Sequence, residues 1–163
     1  MKSVSVYSDG ACLGNPGPGG YGVILDHGGQ RRERSKGYRL TTNNRMELLG
    51  VIAGMEALSE PCNVRVVTDS NYVVQGIEQG RAARWRSRGW LTANKTPAKN
   101  VDLWEKLLAL CDRHTVRFEW VRGHSGHPEN ERCDELANRA ASAPRLISDE
   151  AYEASIAATS PHG

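Results

Sequence analysis

The chain has 163 residues and a formal net charge of +2, and 39% of its residues are hydrophobic and 25% charged. This length and composition are typical of one compact globular domain and exclude a disordered or fibrous chain. No apolar run approaches the ~20 residues that span a membrane. The four cysteines form no C-x-x-C pair, so we expect reduced thiols in a cytoplasmic protein rather than a disulfide framework: Cys12, Cys62, Cys111 and Cys133.

The chain begins with a pattern of three antiparallel strands. Residues 4–7 alternate in polarity directly after Met1-Lys2, and we expect no signal peptide in this segment. Residues 21–26 form a second strand that ends in a hairpin turn signal. Residues 31–40 are polar, which is expected of a third strand with one face in water.

A helix is predicted next, from about residue 44 to residue 60. Asn43 or Asn44 can cap it, and Asn44 and Glu47 have the spacing of a capping box. Pro61 is expected to stop this helix.

The remaining pattern completes an α/β chain. It predicts a strand over residues 64–68, a helix over 70–79 and a basic segment over 80–100. A helix over 100–113, a strand over 115–121, a long helix over 128–143 and a short helix over 149–158 follow. Strand–helix–strand connections favour parallel pairing of the first and fourth strands in a mixed five-stranded sheet flanked by helices.

Four carboxylates occur where such elements begin or end. Asp9 and Asp69 end apolar strands, Glu47 is expected in a first helical turn, and Asp134 lies early in the last long helix. Parallel strands would bring Asp9 and Asp69 together at their carboxyl ends, where open α/β sheets place their ligands. Carboxylates that converge favour hard cations such as Mg²⁺ or Mn²⁺. Two such ions about 4 Å apart are used for phosphodiester hydrolysis.

The basic charge of the chain is concentrated in one segment. Residues 79–101 contain no Asp or Glu and carry two tryptophans, Trp85 and Trp90, among Arg81, Arg84, Arg86, Arg88, Lys95 and Lys99. A basic and aromatic patch on a nearly neutral protein is typical of nucleic-acid binding. The arginines beside Trp85 and Trp90 favour a surface position for both rings, whereas Trp104 fits the apolar face of its helix.

Five motifs together resemble the ribonuclease HI family, the bacterial type 1 ribonucleases H. They are D-G-A-C-L-G-N-P-G-P-G-G-Y-G from Asp9, T-T-N-N-R-M-E-L from Thr41, T-D-S from Thr68, K-N-V-D-L-W from Lys99 and G-H-S-G-H-P-E-N-E-R-C-D-E-L-A from Gly123. The resemblance implies a ribonuclease H-like fold and a catalytic domain over residues 1–143 with a basic protrusion at about 80–100. Residues 144–163 lie outside it, and we expect them to form a loosely held tail with a short helix.

The resemblance also implies an activity and a site. The family cuts the RNA strand of RNA–DNA hybrids, leaving 5′-phosphate and 3′-hydroxyl ends. By resemblance two Mg²⁺ ions, or Mn²⁺ in their place, would activate a water and stabilise the leaving oxygen. The implied metal ligands are Asp9, Glu47, Asp69 and Asp134. His124 resembles the family histidine that shuttles a proton or aids product release.

The implied partner is the hybrid duplex. We expect the protein to bind it as a monomer and to have no association with a membrane. The positions that resemble hybrid contacts are Cys12, Asn15, Asn43, Asn44, Asn71, Trp85, Arg86, Arg88, Trp90 and Lys99. Asn71 stands where the family has glutamine. Small polar groups of this kind can bind the 2′-hydroxyl that distinguishes RNA from DNA.

Several alternatives were weighed at these positions. Taken singly, each carboxylate could be a turn, cap or surface residue. A zinc site at His124, His127 and Cys133 is a further alternative, but these residues lack the usual ligand spacing. The G-x-G-x-x-G match from Gly17 precedes a strand pattern instead of a helix, which argues against a dinucleotide site. A non-catalytic hybrid-binding module and a DNA nuclease or recombinase of the same fold remain alternative functions.

Overall fold

The computed structural model describes residues 1–159. The elements in chain order are β1 (Lys2–Cys12), β2 (Gly17–His27), β3 (Gln30–Thr41), α1 (Asn43–Glu56), β4 (Cys62–Thr68), α2 (Asn71–Glu78), α3 (Arg81–Ser87), α4 (Val101–Arg113), β5 (Thr115–Trp120), α5 (Pro128–Ala141) and α6 (Glu150–Thr159). None of the helices over these residues is both long enough and apolar enough to cross a membrane.

The five strands form one mixed sheet in the order β3-β2-β1-β4-β5. β1 to β3 pair antiparallel, while β4 pairs in parallel with both β1 and β5. The predicted sheet and the parallel pairing of the first and fourth strands are therefore confirmed.

Two helices cover opposite faces of the sheet. Val6 lies in the core cluster that includes the buried side chains of α1, whereas its neighbour Tyr7 lies in a smaller cluster with Cys133 of α5. Successive strand residues point to opposite faces, so α1 and α5 pack on different sides of β1. Trp104 of α4 is fully buried in the larger cluster, as its helical position predicted.

The ends of α1 differ from the prediction. Thr42 is the N-cap, and its side chain accepts a hydrogen bond from the backbone N–H of Arg45 at 3.3 Å. Neither Asn43 nor Asn44 caps the helix, so Glu47 lies in the second turn and the expected capping box is wrong. The helix also ends at Glu56, well before Pro61.

Side chains also cap two other helices. Ser70 caps α2 by accepting from the N–H of Val73 at 3.2 Å. His127 caps α5 through Nδ1, which accepts from the N–H of Asn130 at 3.2 Å, directly before Pro128. The glycines of the G-x-G-x-x-G match lie inside strand β2, so that motif opens no helix.

The basic segment is partly helical and partly packed on the core. It contains the short helix α3, which the sequence pattern did not predict. Trp85 and Trp90 are half-buried against the core. The Trp85 ring packs edge-on against that of Trp104, with the two ring centroids 5.9 Å apart. The expected surface position of both tryptophans is therefore only partly correct, because one side of each ring packs inward.

The segment after Pro144 is bonded to the rest of the fold as far as the first turn of α6, where a loose tail was expected. The backbone N–H of Arg39 donates to the carbonyl of Ile147 at 2.8 Å, which adds a bridge beside β3. Asp149 is buried and its carboxylate accepts from Nε of Arg45 at 2.8 Å. The predicted short helix corresponds to α6, and residues 160–163 of the predicted tail lie outside the described residues.

Candidate active site

The pairing of β1 with β4 brings two carboxylates together. Ser8 is opposite Thr68 in the last parallel pair, and Asp9 and Asp69 come directly after them. Both strands run in the same direction, so these two side chains emerge side by side at one edge of the sheet. This is the juxtaposition that the strand pattern predicted.

Glu47 of α1 completes a compact acidic group. Carboxylate oxygens of Asp9, Glu47 and Asp69 all lie within 4.8 Å of one another. The backbone N–H of Gly10 donates to Asp9 at 2.9 Å and also to Glu47. A Cβ at Gly10 would lie 2.6 Å from the backbone nitrogen of Glu47, so the absence of a side chain lets α1 approach β1 this closely.

Burial and mutual repulsion make the ionised state of this group unfavourable. Burial, followed by the charge of Asp69, raises the pKa of Asp9 from 3.8 to about 8. Burial, followed by the charge of Asp9, holds the pKa of Glu47 well above its ordinary value. Two carboxylates that share a buried site cannot both ionise easily unless a cation compensates them.

Asp134 and His124 border the same group. Asp134 lies on α5, and Nδ2 of Asn138 donates to its Oδ1 at 3.1 Å. His124 is exposed on the loop before α5 and has a positive φ of 55°. A Cβ at Gly123 would lie 2.6 Å from a carboxylate oxygen of Asp69, so this loop passes directly over the acidic group.

These residues line one polar pocket of about 380 Å³, here called the acidic pocket. Its walls are Asp9, Gly10, Asn43, Asn44, Glu47, Asp69, Ser70, Asn71, Tyr72, His124 and Asp134. It brings together the five predicted catalytic residues and three of the predicted hybrid contacts, namely Asn43, Asn44 and Asn71. Asp134 lines this pocket without belonging to the three-carboxylate group within 4.8 Å.

The sequence pattern missed three residues of this pocket. Gly10 and Ser70 belong to the matching motifs but were not predicted as site residues, and Tyr72 was not considered at all. The Tyr72 hydroxyl accepts from Nδ2 of Asn100 at 3.1 Å and from the Trp104 indole at 3.0 Å. Its position directly after Asn71 at the start of α2 was the available signal.

The other predicted contacts lie outside the acidic pocket. Cys12 ends β1 with its Sγ 3.4 Å from the carbonyl of Gly17, and Asn15 accepts from the N–H of Asn43 at 3.1 Å. Lys99 is exposed and lines a neighbouring groove together with Asn15 and Asn44. The remaining four belong to α3 and the turn after it: Trp85, Arg86, Arg88 and Trp90.

The zinc alternative gains no support from this geometry. Over residues 1–159, the acidic group of Asp9, Glu47 and Asp69 is the set of metal-ligating side chains close enough to share an ion. All three side chains offer oxygen ligands, whereas the zinc site considered from the sequence would use nitrogen and sulfur ligands from His and Cys.

Stability of the metal-free protein should fall as the pH rises from about 4 to about 8. Asp9 has its pKa raised in the folded state, so the folded protein binds the proton more tightly than the unfolded chain and loses stability as that proton leaves. We expect the free energy of unfolding to fall by at least about 1.4 kcal/mol across this interval, because a shift of one pKa unit corresponds to that energy. Urea unfolding in chelator, at several pH values, measures it.

The control for this prediction is Asp9→Asn, which removes the titrating group. Its free energy of unfolding should be higher than that of the unsubstituted protein at pH 8 in chelator, and Mg²⁺ should raise the Tm of the unsubstituted protein more than that of the variant. Equal pH dependence in both proteins would contradict the account.

Comparison with known proteins shows the family of this chain. A family model described as RNase H matches residues 1–142. The Ribonuclease H of Desulforamulus reducens is 59% identical over 149 residues, covering 91% of this chain and 94% of that protein. The Ribonuclease H of Aeromonas hydrophila is 56% identical over 153 residues, covering 94% and 99%.

A solved structure shows the same fold. The crystal structure of LC9-RNase H1, described as a type 1 RNase H with the type 2 active-site motif, has 34% sequence identity and a TM-score of 0.79. The alignment covers 97% of this chain and 84% of that one. With this fold, the matching family model and relatives of this identity, the chain belongs to the RNase H family.

Proposed function

We propose that this protein is an endoribonuclease that hydrolyses the RNA strand of RNA–DNA hybrids by two-metal catalysis, leaving 5′-phosphate and 3′-hydroxyl ends. The observation that carries the proposal is the group of three carboxylates within 4.8 Å of one another. They lie in a pocket shared with Asp134, His124 and three asparagines. A protein that only binds nucleic acid has no need to hold repelling acids together.

The donor set fits a hard divalent cation. Asp9, Glu47 and Asp69 would hold it, with Asp134 at the pocket wall, and their oxygen atoms match the ligands that Mg²⁺ prefers and Mn²⁺ shares. A pair of such ions lowers the pKa of an attacking water and stabilises the leaving oxygen. The raised pKa values of Asp9 and Glu47 support this proposal, because a bound cation favours the ionised carboxylates that are otherwise costly.

The asparagines of the acidic pocket are suited to positioning the RNA strand. Asn43 and Asn44 begin α1 and Asn71 begins α2, so their amides border the carboxylates from two sides. Side-chain amides both donate and accept hydrogen bonds, as does the 2′-hydroxyl of RNA. Contacts with sugar and phosphate read no base sequence, so we expect cleavage with little sequence preference.

His124→Ala should slow cleavage without abolishing it. The residue borders the pocket on an exposed loop, where it could transfer a proton or help the product leave. Proton transfer by a positioned side chain typically contributes about 10²–10⁴-fold to the rate. Measurement of kcat across pH and Mg²⁺ concentration tests this. His27→Ala, at the end of β2, is the control and should leave kcat unchanged. Unchanged kcat in His124→Ala, or complete inactivity at every pH and Mg²⁺ concentration, would contradict the role.

Two other functions make different predictions. A hybrid-binding module would bind the hybrid without cutting it. A DNA nuclease or recombinase of this fold would cut a DNA duplex. The three clustered carboxylates argue against a module that only binds the hybrid. The amides beside them favour a ribose substrate and so argue against the DNA nuclease or recombinase.

The nature of the product ends tests the reaction itself. Cleaved RNA should accept labelled phosphate at its 5′ end only after phosphatase treatment, and its 3′ end should be extended by a polymerase without treatment. Omission of Mg²⁺, or addition of chelator, should stop the reaction. Products with 2′,3′-cyclic phosphate would overturn the two-metal mechanism, because that product requires attack by the 2′-hydroxyl itself.

The setting of the enzyme is part of the proposal. We infer a monomer, because a single chain supplies every residue of the acidic pocket. We also infer a cytoplasmic enzyme, because all four cysteines are free thiols, which suit a reducing compartment.

A further inference from the structure

The edge strand β3 carries a row of basic side chains on one of its faces. Its antiparallel register places Arg32, Arg34 and Lys36 opposite buried core residues of β2, which point towards α1. Side chains of directly paired residues lie on the same face of a sheet. The three basic side chains therefore share the α1 side of the sheet, where all of them are exposed. They are here called the basic stripe.

The charged residues on the opposite face of β3 are all compensated. Arg31 donates to Asp26 at 2.7 Å and to Glu129 at 2.9 Å. Glu33 accepts from Nε of Arg132 at 2.7 Å. Glu129 and Arg132 belong to α5, so the charges on this face connect the strand to a helix of the fold.

The basic stripe has no such compensation. Over residues 1–159, no carboxylate forms an ion pair with any of its three members, whereas their neighbours in β3 do form ion pairs. Lys36 lies over the ring of Tyr38, with its Nζ 5.9 Å from the ring centroid, and this contact leaves its positive charge without a counterion. Arg39, the next basic residue of the strand, is paired with Glu153 at 2.7 Å and does not belong to the stripe.

The carboxylate of Glu56 in α1 lies on the same side of the sheet as the basic stripe. The pKa of Tyr21 is raised first by burial and then by the charge of Glu56, and it is lowered by the charge of Arg34. Both charges are thus close to Tyr21, although they form no ion pair with each other. Three cations against this one anion leave the surface positive.

The spacing of the stripe matches a polyanion with regularly placed charges. Residues two apart in a strand are about 6.8 Å apart, so the row from Arg32 to Lys36 is about 14 Å long. Successive phosphates of a nucleic-acid strand are separated by a distance of the same order. A guanidinium group can also bind a phosphate through two parallel hydrogen bonds. The row is therefore suited to a sugar–phosphate backbone.

Protection of the sheet edge does not by itself account for the stripe. β3 is an edge strand, and charged side chains on such strands oppose pairing with another sheet. That role requires charge but neither a single sign nor a single face. In β3 the α5 face carries charges of both signs, whereas the basic stripe carries positive charge alone.

We propose that the basic stripe is a second nucleic-acid contact, which binds the sugar–phosphate backbone of a strand outside the acidic pocket. Its residues do not line that pocket, and they lie outside the basic segment of residues 79–101. The contact adds affinity without sequence preference, because phosphates are the same on every nucleotide. It requires no cleavage and so goes beyond the proposed function.

Neutralisation of the stripe tests this contact. The stripe variant combines three substitutions: Arg32→Gln, Arg34→Gln and Lys36→Gln. The control variant has the same change in net charge at exposed residues of α4 and β5: Lys106→Gln, Arg113→Gln and Arg117→Gln. The dissociation constant of a fluorescent single-stranded oligothymidylate is measured in chelator over a range of salt concentrations. Circular dichroism confirms that each variant folds.

The contact predicts a loss of affinity and of salt dependence in the stripe variant only. Three phosphate contacts to a single strand release about two counterions, so log Kd should rise with log salt less steeply by about two. Kd at low salt should increase by at least about tenfold. The control variant should stay within about twofold of the unsubstituted protein. Equal losses in the two variants, or no loss in the stripe variant, would overturn the contact.

A single substitution beside the stripe has the opposite expected effect. Glu56→Gln removes the negative charge on this side of the sheet and should lower Kd for the oligothymidylate by about two- to threefold. The same substitution in the stripe variant should have no effect, because the cations that it unmasks are gone. An equal effect in both backgrounds would contradict the stripe as the binding surface.

Two further probes identify the class of partner. An oligothymidylate with uncharged methylphosphonate linkages should bind the unsubstituted protein and the stripe variant alike. Polyglutamate of equal charge should bind the unsubstituted protein more weakly than the oligothymidylate does. Tighter binding of polyglutamate, lost in the stripe variant, would overturn the proposal in favour of an acidic protein. All these measurements are made in chelator, so their outcome is independent of whether the protein cuts the hybrid.

Discussion

Asp69→Asn is expected to abolish turnover while hybrid binding is retained. Asparagine keeps the size of the side chain and replaces one of the three carboxylates whose oxygens lie within 4.8 Å of one another, so it removes a negative charge that a bound cation would face. Loss of that charge weakens the hold on a divalent cation, and we expect single-turnover cleavage to fall by at least about 10³-fold, as when a member of a cooperating catalytic group is removed. Hybrid affinity should stay near that of the unsubstituted protein, because the amides of the acidic pocket remain.

The matched control is Asp112→Asn, the same substitution at an exposed aspartate of α4 outside the acidic pocket. It should leave both cleavage and binding unchanged. Cleavage by Asp69→Asn at a rate similar to that of the control would remove Asp69 from the metal site. Loss of hybrid binding together with cleavage would show instead that Asp69 acts mainly in binding substrate.

Asp149→Ala is expected to destabilise the fold by about 3 kcal/mol, because Arg45 then stays buried with the partly exposed Asp102 as its one remaining charged partner. Asp149 and Arg45 are 5% and 4% exposed, and Nε of Arg45 donates to Asp149 at 2.8 Å. The hydroxyl of Thr41 also donates to Asp149, at 2.6 Å. Burial alone would lower the pKa of Arg45, but its hydrogen bonds to Asp102 and Asp149 raise it above its ordinary value.

A second carboxylate of the same segment provides the control. Glu153 pairs with Arg39, whose side chain is 62% exposed, and exposed pairs of this kind contribute about 0–1 kcal/mol. Glu153→Ala should therefore change the free energy of unfolding by less than about 1 kcal/mol, whereas Asp149→Ala should lower the Tm by on the order of 10 °C. Equal effects in urea and thermal unfolding would contradict the buried network.

The sequence pattern predicted the fold and the centre of the site because both depend on local signals. Apolar strands mark β1 and β4, and parallel pairing brings together the residues that follow them, Asp9 and Asp69. Glu47 was predicted as part of the site although its turn was assigned wrongly. That error arose because Thr42, Asn43 and Asn44 are all good caps, and the choice depends on which side chain reaches the free N–H of Arg45.

The contacts that sequence reasoning missed are long-range. Asp149 pairs with Arg45, a residue 104 positions earlier in the chain, and no local pattern marks that pair, so the segment after Pro144 was expected to be loose. Trp85 is surrounded by arginines in sequence, yet its ring packs against Trp104. Both errors have one physical cause, since tertiary packing decides which side of a polar segment is buried.

The most direct test of the central claim is cleavage of end-labelled nucleic acids with Mg²⁺, analysed on gels. The substrates are an RNA–DNA hybrid, an RNA duplex, single-stranded RNA and a DNA duplex. The account predicts that only the RNA strand of the hybrid is cut and that chelator stops the reaction. Binding to the hybrid without cleavage, with either Mg²⁺ or Mn²⁺, or cleavage of the DNA duplex, would contradict it.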